Sequence, residues 1–253
     1  MDLCKGSVVG GARQFLTMIL KALTYNLHKL YNVFGSRYVI DEIKPLLETL
    51  DLDFAFFQEI RGLHPQSHMS SYELDPLEHL ADKLWDFAAY GKNAVYPSGH
   101  HGNAILSKFP IEEWQNYDLS QYALEQRGLL LARVTLPNQR KAFLACTHID
   151  LTQWSRNRQI KKISEIFKSE IPEGQPLIFA GDFNDWNGKV SHHFEELGLT
   201  ALPSAKTFPA KWPLLSLDKV FIDHLDVLKS GALTGRAWRA LSDHLPIEFQ
   251  LRA

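Results

Sequence analysis

The sequence predicts a layered α/β domain built on mixed sheets. Short, almost unbroken apolar runs recur along the 253 residues, and several end in polar residues of one chemical kind. Runs of that length without alternation belong to strands buried on both faces. Between them lie segments with apolar residues at helical spacing, and several connections are short enough for hairpins, a combination that produces layered mixed sheets. The apolar fraction of 45% and charged fraction of 22% suit a globular chain with a sizeable core. No linker-like tract, charge block or internal repeat divides it.

The elements follow in order. A first core strand is expected over residues 18–25, in "ILKALTY", ending at Asn26. "IDEIKPLLETL" sets Ile40, Ile43, Leu47 and Leu50 on one helical face, with Pro45 confined to a first turn or a kink. "DFAFF" reads as a strand ending at Gln58 and Glu59, and "LEHLADKLWDFA" as a helix repeating Leu77, Leu80, Leu84 and Phe87. "RGLLLARVTL" and "KAFLAC" are strands, the second running into Thr147 and His148. "RQIKKISEIFKS" is a helix through Ile160, Ile163 and Ile166. "PLIFAG" is a strand ending at Asp182 and Asn184, where Gly181 is expected to let the backbone bend. "VSHHFEEL" is a helix that stops at Gly198. "SLDKVFID" opens a strand at Asp218, and "LPIEFQLR" alternates Leu245, Ile247, Phe249 and Leu251 with polar neighbours, directly after Asp243 and His244.

Taken singly, these polar residues have ordinary explanations. Asn26, Asp182 and Asn184 suit strand-end turns, His148 a satisfied core histidine, and Asp218 and Asp243 caps. Glu59 resists that treatment, because a carboxylate at the exit of an apolar strand is costly to desolvate unless paired or bound to metal.

Together, "LTYNLHK", "FFQEI", "GHHGNAILSKFPI", "ACTHID", "IFAGDFN", "SLDKVFI" and "LSDHLPI", in that order over residues 18–249, resemble the endonuclease/exonuclease/phosphatase superfamily, closest to bacterial members of unassigned substrate. The resemblance implies a DNase I-like four-layer α/β sandwich, with two packed mixed β-sheets flanked by helices. It implies a metal-dependent phosphodiesterase in which Glu59 is the principal ligand of Mg²⁺ or Mn²⁺, with Asn26 beside it and Asp243 completing the metal or water shell. Hard oxygen ligands and the lack of paired cysteines suit those ions better than Zn²⁺. Asp182 would orient or deprotonate the attacking water, and Asn184 would hold the phosphate or water in line. Asp218 would raise the basicity of His244, and His148 would donate to a non-bridging oxygen. Whether Asp182 or His244 is the base stays open at this level. Asn103 and Arg127 are candidates for substrate contact.

The remaining expectations concern partners and place. A formal charge of −2 argues against tracking long nucleic acid, though not against a local basic patch. The substrate is expected to be a phosphodiester, as nucleic acid or phospholipid head group, with Trp154, Trp186, Trp212 and Trp238 near the site to stack on bases, touch lipid or pack under loops. No obligate protein partner or membrane span is indicated, and a cytoplasmic monomer is expected. Cys146 reads as a buried free thiol. "QFLTMILKAL" is too short to span a membrane and lacks a small-residue cleavage site, so residues 1–17 are expected to be an extension, disordered or created by an upstream start codon, ahead of a catalytic domain over 18–253. Three other readings compete. A catalytically inactive phosphate- or lipid-binding module is opposed by the full set of reactive residues. A phosphate loop at "GDFNDWNGKV" lacks the required glycine spacing. A zinc hydrolase on His100, His101, His192 and His193 lacks an HExxH helix.

Overall fold

The computed structural model describes residues 18–62, 75–96, 99–122 and 126–253. The extension expected over residues 1–17 lies outside them. Two six-stranded sheets pack face to face. The first contains β1 (Ile19–Asn26), β2 (Phe54–Arg61), β3 (Phe87–Tyr96), β4 (Gly99–Ser107), β11 (Asp226–Ala232) and β12 (Ile247–Arg252), in the order β11-β12-β1-β2-β4-β3. The second contains β5 (Ile111–Asp118), β6 (Gly128–Thr135), β7 (Lys141–His148), β8 (Leu177–Asp182), β9 (Thr200–Ala201) and β10 (Asp218–Asp223), in the order β5-β6-β7-β8-β10-β9. Each sheet has a parallel pair at its centre, β1 with β2 and β7 with β8, and antiparallel neighbours around it.

The unbroken apolar runs have the cause anticipated for them. Leu20 and Ala22 of β1 face the inter-sheet core, which also holds Phe54, Phe56, Leu144, Ile178, Val220 and Phe249. The alternate residues Leu23 and Tyr25 face a second core under α1 (Ile40–Glu48), α2 (Pro76–Ala81) and α5 (Trp238–Leu241). On the other side, α3 (Gln153–Glu170) and α4 (Lys189–Glu196) cover the second sheet through Ile163, Phe167 and Phe194, which meet Phe179 and Phe221. Both faces of each central strand are dry, so period-two patterning disappears. The resulting layers are helix, sheet, sheet, helix.

Four details differ from the sequence expectation. Pro45 sits in the second turn of α1, where its ring removes the bond to the Asp41 carbonyl. The helix through Leu77 stops at Ala81, and Phe87 starts β3, because Asp75 caps and Pro76 opens a helix only six residues long. Gly181 lies inside β8, where the need is space: a Cβ there would stand 2.0 Å from the Thr147 carbonyl oxygen of β7. Trp238 is a core residue, packed edge-on against Tyr25 with ring centroids 5.8 Å apart.

Candidate active site

The polar ends of the strands converge at one end of the sandwich. Asn26 closes β1, His148 closes β7 and Asp182 closes β8. β10 runs antiparallel to β8, so its first residue, Asp218, lies directly across from Asp182, while His148 is the parallel partner of Asp182 on the other side. Asp243 and His244 lie in the turn before β12, which runs antiparallel to β1. Glu59 arrives by a different device: the pairing of β2 with β4 slips between Phe57 and Ile60, and Glu59 takes φ of 53° within that bulge. The bulge re-aims the carboxylate that regular pairing would direct elsewhere.

Asp182 is the hub. Its Oδ2 accepts from Asn26 Nδ2 at 3.0 Å and lies 3.5 Å from His148 Nε2 and 3.6 Å from His244 Nε2. Its Oδ1 accepts from the Asn184 backbone N–H at 3.0 Å, and Asn184 itself takes a positive φ of 46°. Burial raises the Asp182 carboxyl to about 6, with His244 opposing the rise and Asp218 adding to it. His244 Nδ1 lies 2.8 Å from Asp218 Oδ2, which also accepts from Thr207 Oγ at 2.5 Å. Burial works against a charged imidazole, yet Asp218, Asp182 and Asp243 outweigh it and raise His244 to about 10. His148 behaves oppositely: burial, then Arg127 and His244, hold it well below the ordinary histidine range, so this ring is neutral.

Around this hub stand the other predicted residues. Arg127 donates from Nε to Asp150 at 3.0 Å and brings Nη1 to 3.2 Å from His148 Nδ1. Asn184 Nδ2 donates to the Ile149 carbonyl at 2.9 Å and lies 3.4 Å from His148 Nε2. Asn103 is buried and donates to the Gly128 carbonyl at 3.0 Å, which places it behind Arg127. Gln58 is buried between the sheets, where its amide bonds Thr24 and meets Cys146 Sγ at 3.2 Å. Trp154 is exposed in the first turn of α3, Trp186 on the loop after β8 and Trp212 on the loop before β10.

Two groups could hold a divalent cation. Asp182, Asp218 and His244 offer ligand atoms within 4.8 Å of one another. There the Asp218 oxygen nearest the ring is already occupied by His244 and Thr207. Glu59 offers the opposite condition: its side chain is 18% exposed, and its contact with the neutral His148 ring at 3.6 Å and its ion pair with Lys29 at 3.9 Å are both longer than hydrogen bonds. An oxygen donor with no short partner among the described residues, at a cleft mouth, fits a hard cation.

Three supporting residues escaped the sequence reading. Asp150 positions Arg127 and is itself held by Gln159 Nε2 at 3.1 Å. Thr207 braces Asp218. Ser242 donates to the Asn26 carbonyl at 2.8 Å and accepts from the His244 N–H at 3.2 Å, tying the β12 turn to β1. Only Asp150, two residues beyond "CTH", left a trace in the sequence, as a carboxylate at a strand exit.

Fold and site together define a protein of the DNase I-like sandwich class. The chain belongs to the Endonuclease/Exonuclease/phosphatase family, whose model matches residues 24–244. It is 38% identical over 242 residues to "Uncharacterized protein YbhP" of Escherichia coli strain K12, covering 91% of this chain and 95% of that one. Its fold is similar to that of D. rerio TDP2 complexed with single strand DNA product, with TM-score 0.70, 18% identity and coverage of 93% and 99%. It is similar as well to the mannosyl-6-phosphatase Bt3783 of Bacteroides thetaiotaomicron, with TM-score 0.69, 18% identity and coverage of 92% and 99%. Among the described residues no helix is long and apolar enough to cross a membrane.

Proposed function

We propose that the protein is a Mg²⁺- or Mn²⁺-dependent phosphodiesterase that hydrolyses its substrate by in-line attack of water. The observation that carries this reading is the convergence on Asp182 Oδ2 of Asn26, His148 and His244, with Asp218 behind His244. Family membership supports it, and so do structural neighbours, one complexed with a single-stranded DNA product and one a mannosyl-6-phosphatase.

Glu59, with Asn26 and Asp243, would hold the cation, which when bound supplies positive charge against the phosphoryl oxygens. The rest falls to side chains. Asp182, fixed by the Asn26 amide and the Asn184 N–H, accepts the proton of the attacking water. Asp218 holds His244 by Nδ1, which leaves Nε2–H to donate to a phosphoryl oxygen as charge builds there. The neutral His148 donates to a second oxygen, Asn184 keeps the phosphate in line, and Arg127 bounds the substrate side with Asn103 buried behind it. We further take the enzyme to act as a cytoplasmic monomer, which fractionation and light scattering of the native protein would check.

The test is hydrolysis of plasmid DNA, abasic oligonucleotide, RNA, phospholipid and inositol phosphates with Mg²⁺, Mn²⁺ or chelator. Glu59→Gln, Asp182→Asn and His244→Ala are each expected to lower turnover by at least ~10²-fold, the scale of losing a principal electrostatic or acid–base contribution. Near-normal turnover in folded His244→Ala would sink the assignment. Metal-independent binding without hydrolysis would point to an inactive binding module instead.

A further inference from the structure

A polar cavity of about 640 Å³ opens beside the catalytic end, where the edge strands β3 and β5 of the two sheets face each other. Its floor is a built feature. The pairing of β3 with β4 slips between Lys92 and Ala94, which inserts Asn93 as a bulge. Asn116 of β5 then donates from Nδ2 to Asn93 Oδ1 at 3.0 Å and to the Lys92 carbonyl at 3.2 Å. Two glycines make room for this pair: a Cβ on Gly91 would stand 2.3 Å from Asn116 Oδ1, and one on Gly128 2.2 Å from Asn93 Oδ1. Gln121 and Tyr122 form the walls, and Lys92 stands exposed at the lip with no ion-pair partner among the described residues. Arg127 is the shared wall, since the same guanidinium touches His148.

We propose that this cavity is the specificity subsite of the enzyme, taking a hydroxyl-rich ring or polyol that carries a second phosphate and is esterified to the scissile one. The inference rests on the phosphodiesterase reading and names its substrate class. Carboxamides donate and accept, as hydroxyl groups do, so a wall of Asn and Gln matches a polyol. A lone lysine on a flexible stem matches a phosphate as a point charge. Tyr122 offers a flat face to a ring, and the volume is that of a small-molecule site. A polynucleotide asks for a continuing basic track, whereas here the second cation, Arg127, is already paired with Asp150 and the whole chain carries −2.

The experiment compares wild type, Lys92→Ala and Gln121→Ala on four diesters: bis(p-nitrophenyl) phosphate, a glycerophosphoinositol phosphate, a phosphorylated hexose diester and a single-stranded oligonucleotide. Lys92→Ala is expected to raise KM for a phosphorylated polyol by ~10-fold or more with kcat retained, while bis(p-nitrophenyl) phosphate hydrolysis stays within ~2-fold. Preference between inositol and hexose identifies the source of the ring, and either one supports the subsite. Unchanged KM in Lys92→Ala, equal losses on bis(p-nitrophenyl) phosphate, or preferred cleavage of the oligonucleotide would overturn it. Should no diester be cleaved, the phosphodiesterase reading fails separately, and calorimetry with inositol phosphates decides the cavity: binding lost in Lys92→Ala supports it, and no binding to wild type refutes it.

Discussion

Glu59 shows how a single residue combines cost and use. Its left-handed backbone costs on the order of 1–3 kcal/mol for a non-glycine residue, and the bulge around it turns that strain into a carboxylate held at the cleft. The residue type was legible in the sequence, because a glutamate after "FAFFQ" is hard to explain as packing, but the bulge was not. Thr207, Ser242 and Asp150 were less legible still, since each acts on a partner 11, 216 or 23 positions away and carries no local pattern. Cys146 gives the residue-scale prediction. Burial pushes its thiol up to about 12 from an ordinary 9.0, so it stays protonated and shielded. At pH 8 the folded protein should resist alkylation at Cys146, as read by peptide mass mapping, and denaturant should expose it to rapid modification. The linkage sign is definite: the unfolded thiol loses its proton first, so this contribution to stability is present below pH about 9 and is lost as pH rises toward 12.

At the scale of elements, strands buried on both faces announced themselves and exposed edge strands did not. β1, β2, β7 and β8 were readable as apolar runs. β3, β5 and β11 lie at or beside sheet edges with much of their surface wet, so "FAAYGKNAVY", "IEEWQNYD" and "DVLKSGA" carry little hydrophobic signal. That blind spot hid the polar cavity, which the edges build between them. Gly181 tests the packing of the central pair. Gly181→Ala would drive a Cβ into the Thr147 carbonyl and is expected to lower unfolding free energy by about 3 kcal/mol, with a fall in the denaturant midpoint. Gly231→Ala, which meets nothing within 4 Å, should change it by less than about 0.5 kcal/mol.

For the whole molecule, the position of the proposed metal is the decisive variable. A ligand that binds only the folded state at about 100 times its Kd adds about 2.7 kcal/mol, so Mg²⁺ or Mn²⁺ should raise Tm in a thermal melt and chelator should reverse the gain. Glu59→Gln is expected to abolish the shift while Asp218→Asn retains it. The reverse pattern would move the ion to Asp182, Asp218 and His244.

The residues proposed to act in catalysis come from both sheets. Asn26 and Glu59 belong to the first, and His148, Asp182 and Asp218 to the second. The contacts between Asn26 and Asp182, between His148 and Glu59 and between Gln58 and Cys146 are therefore rivets across a seam. A shear of one layer over the other, too slight to disturb either hydrogen-bonded sheet, would part these atoms first. Turnover in such a molecule gauges the alignment of its halves, and mutations deep in the inter-sheet core can silence it while leaving every reactive side chain in place.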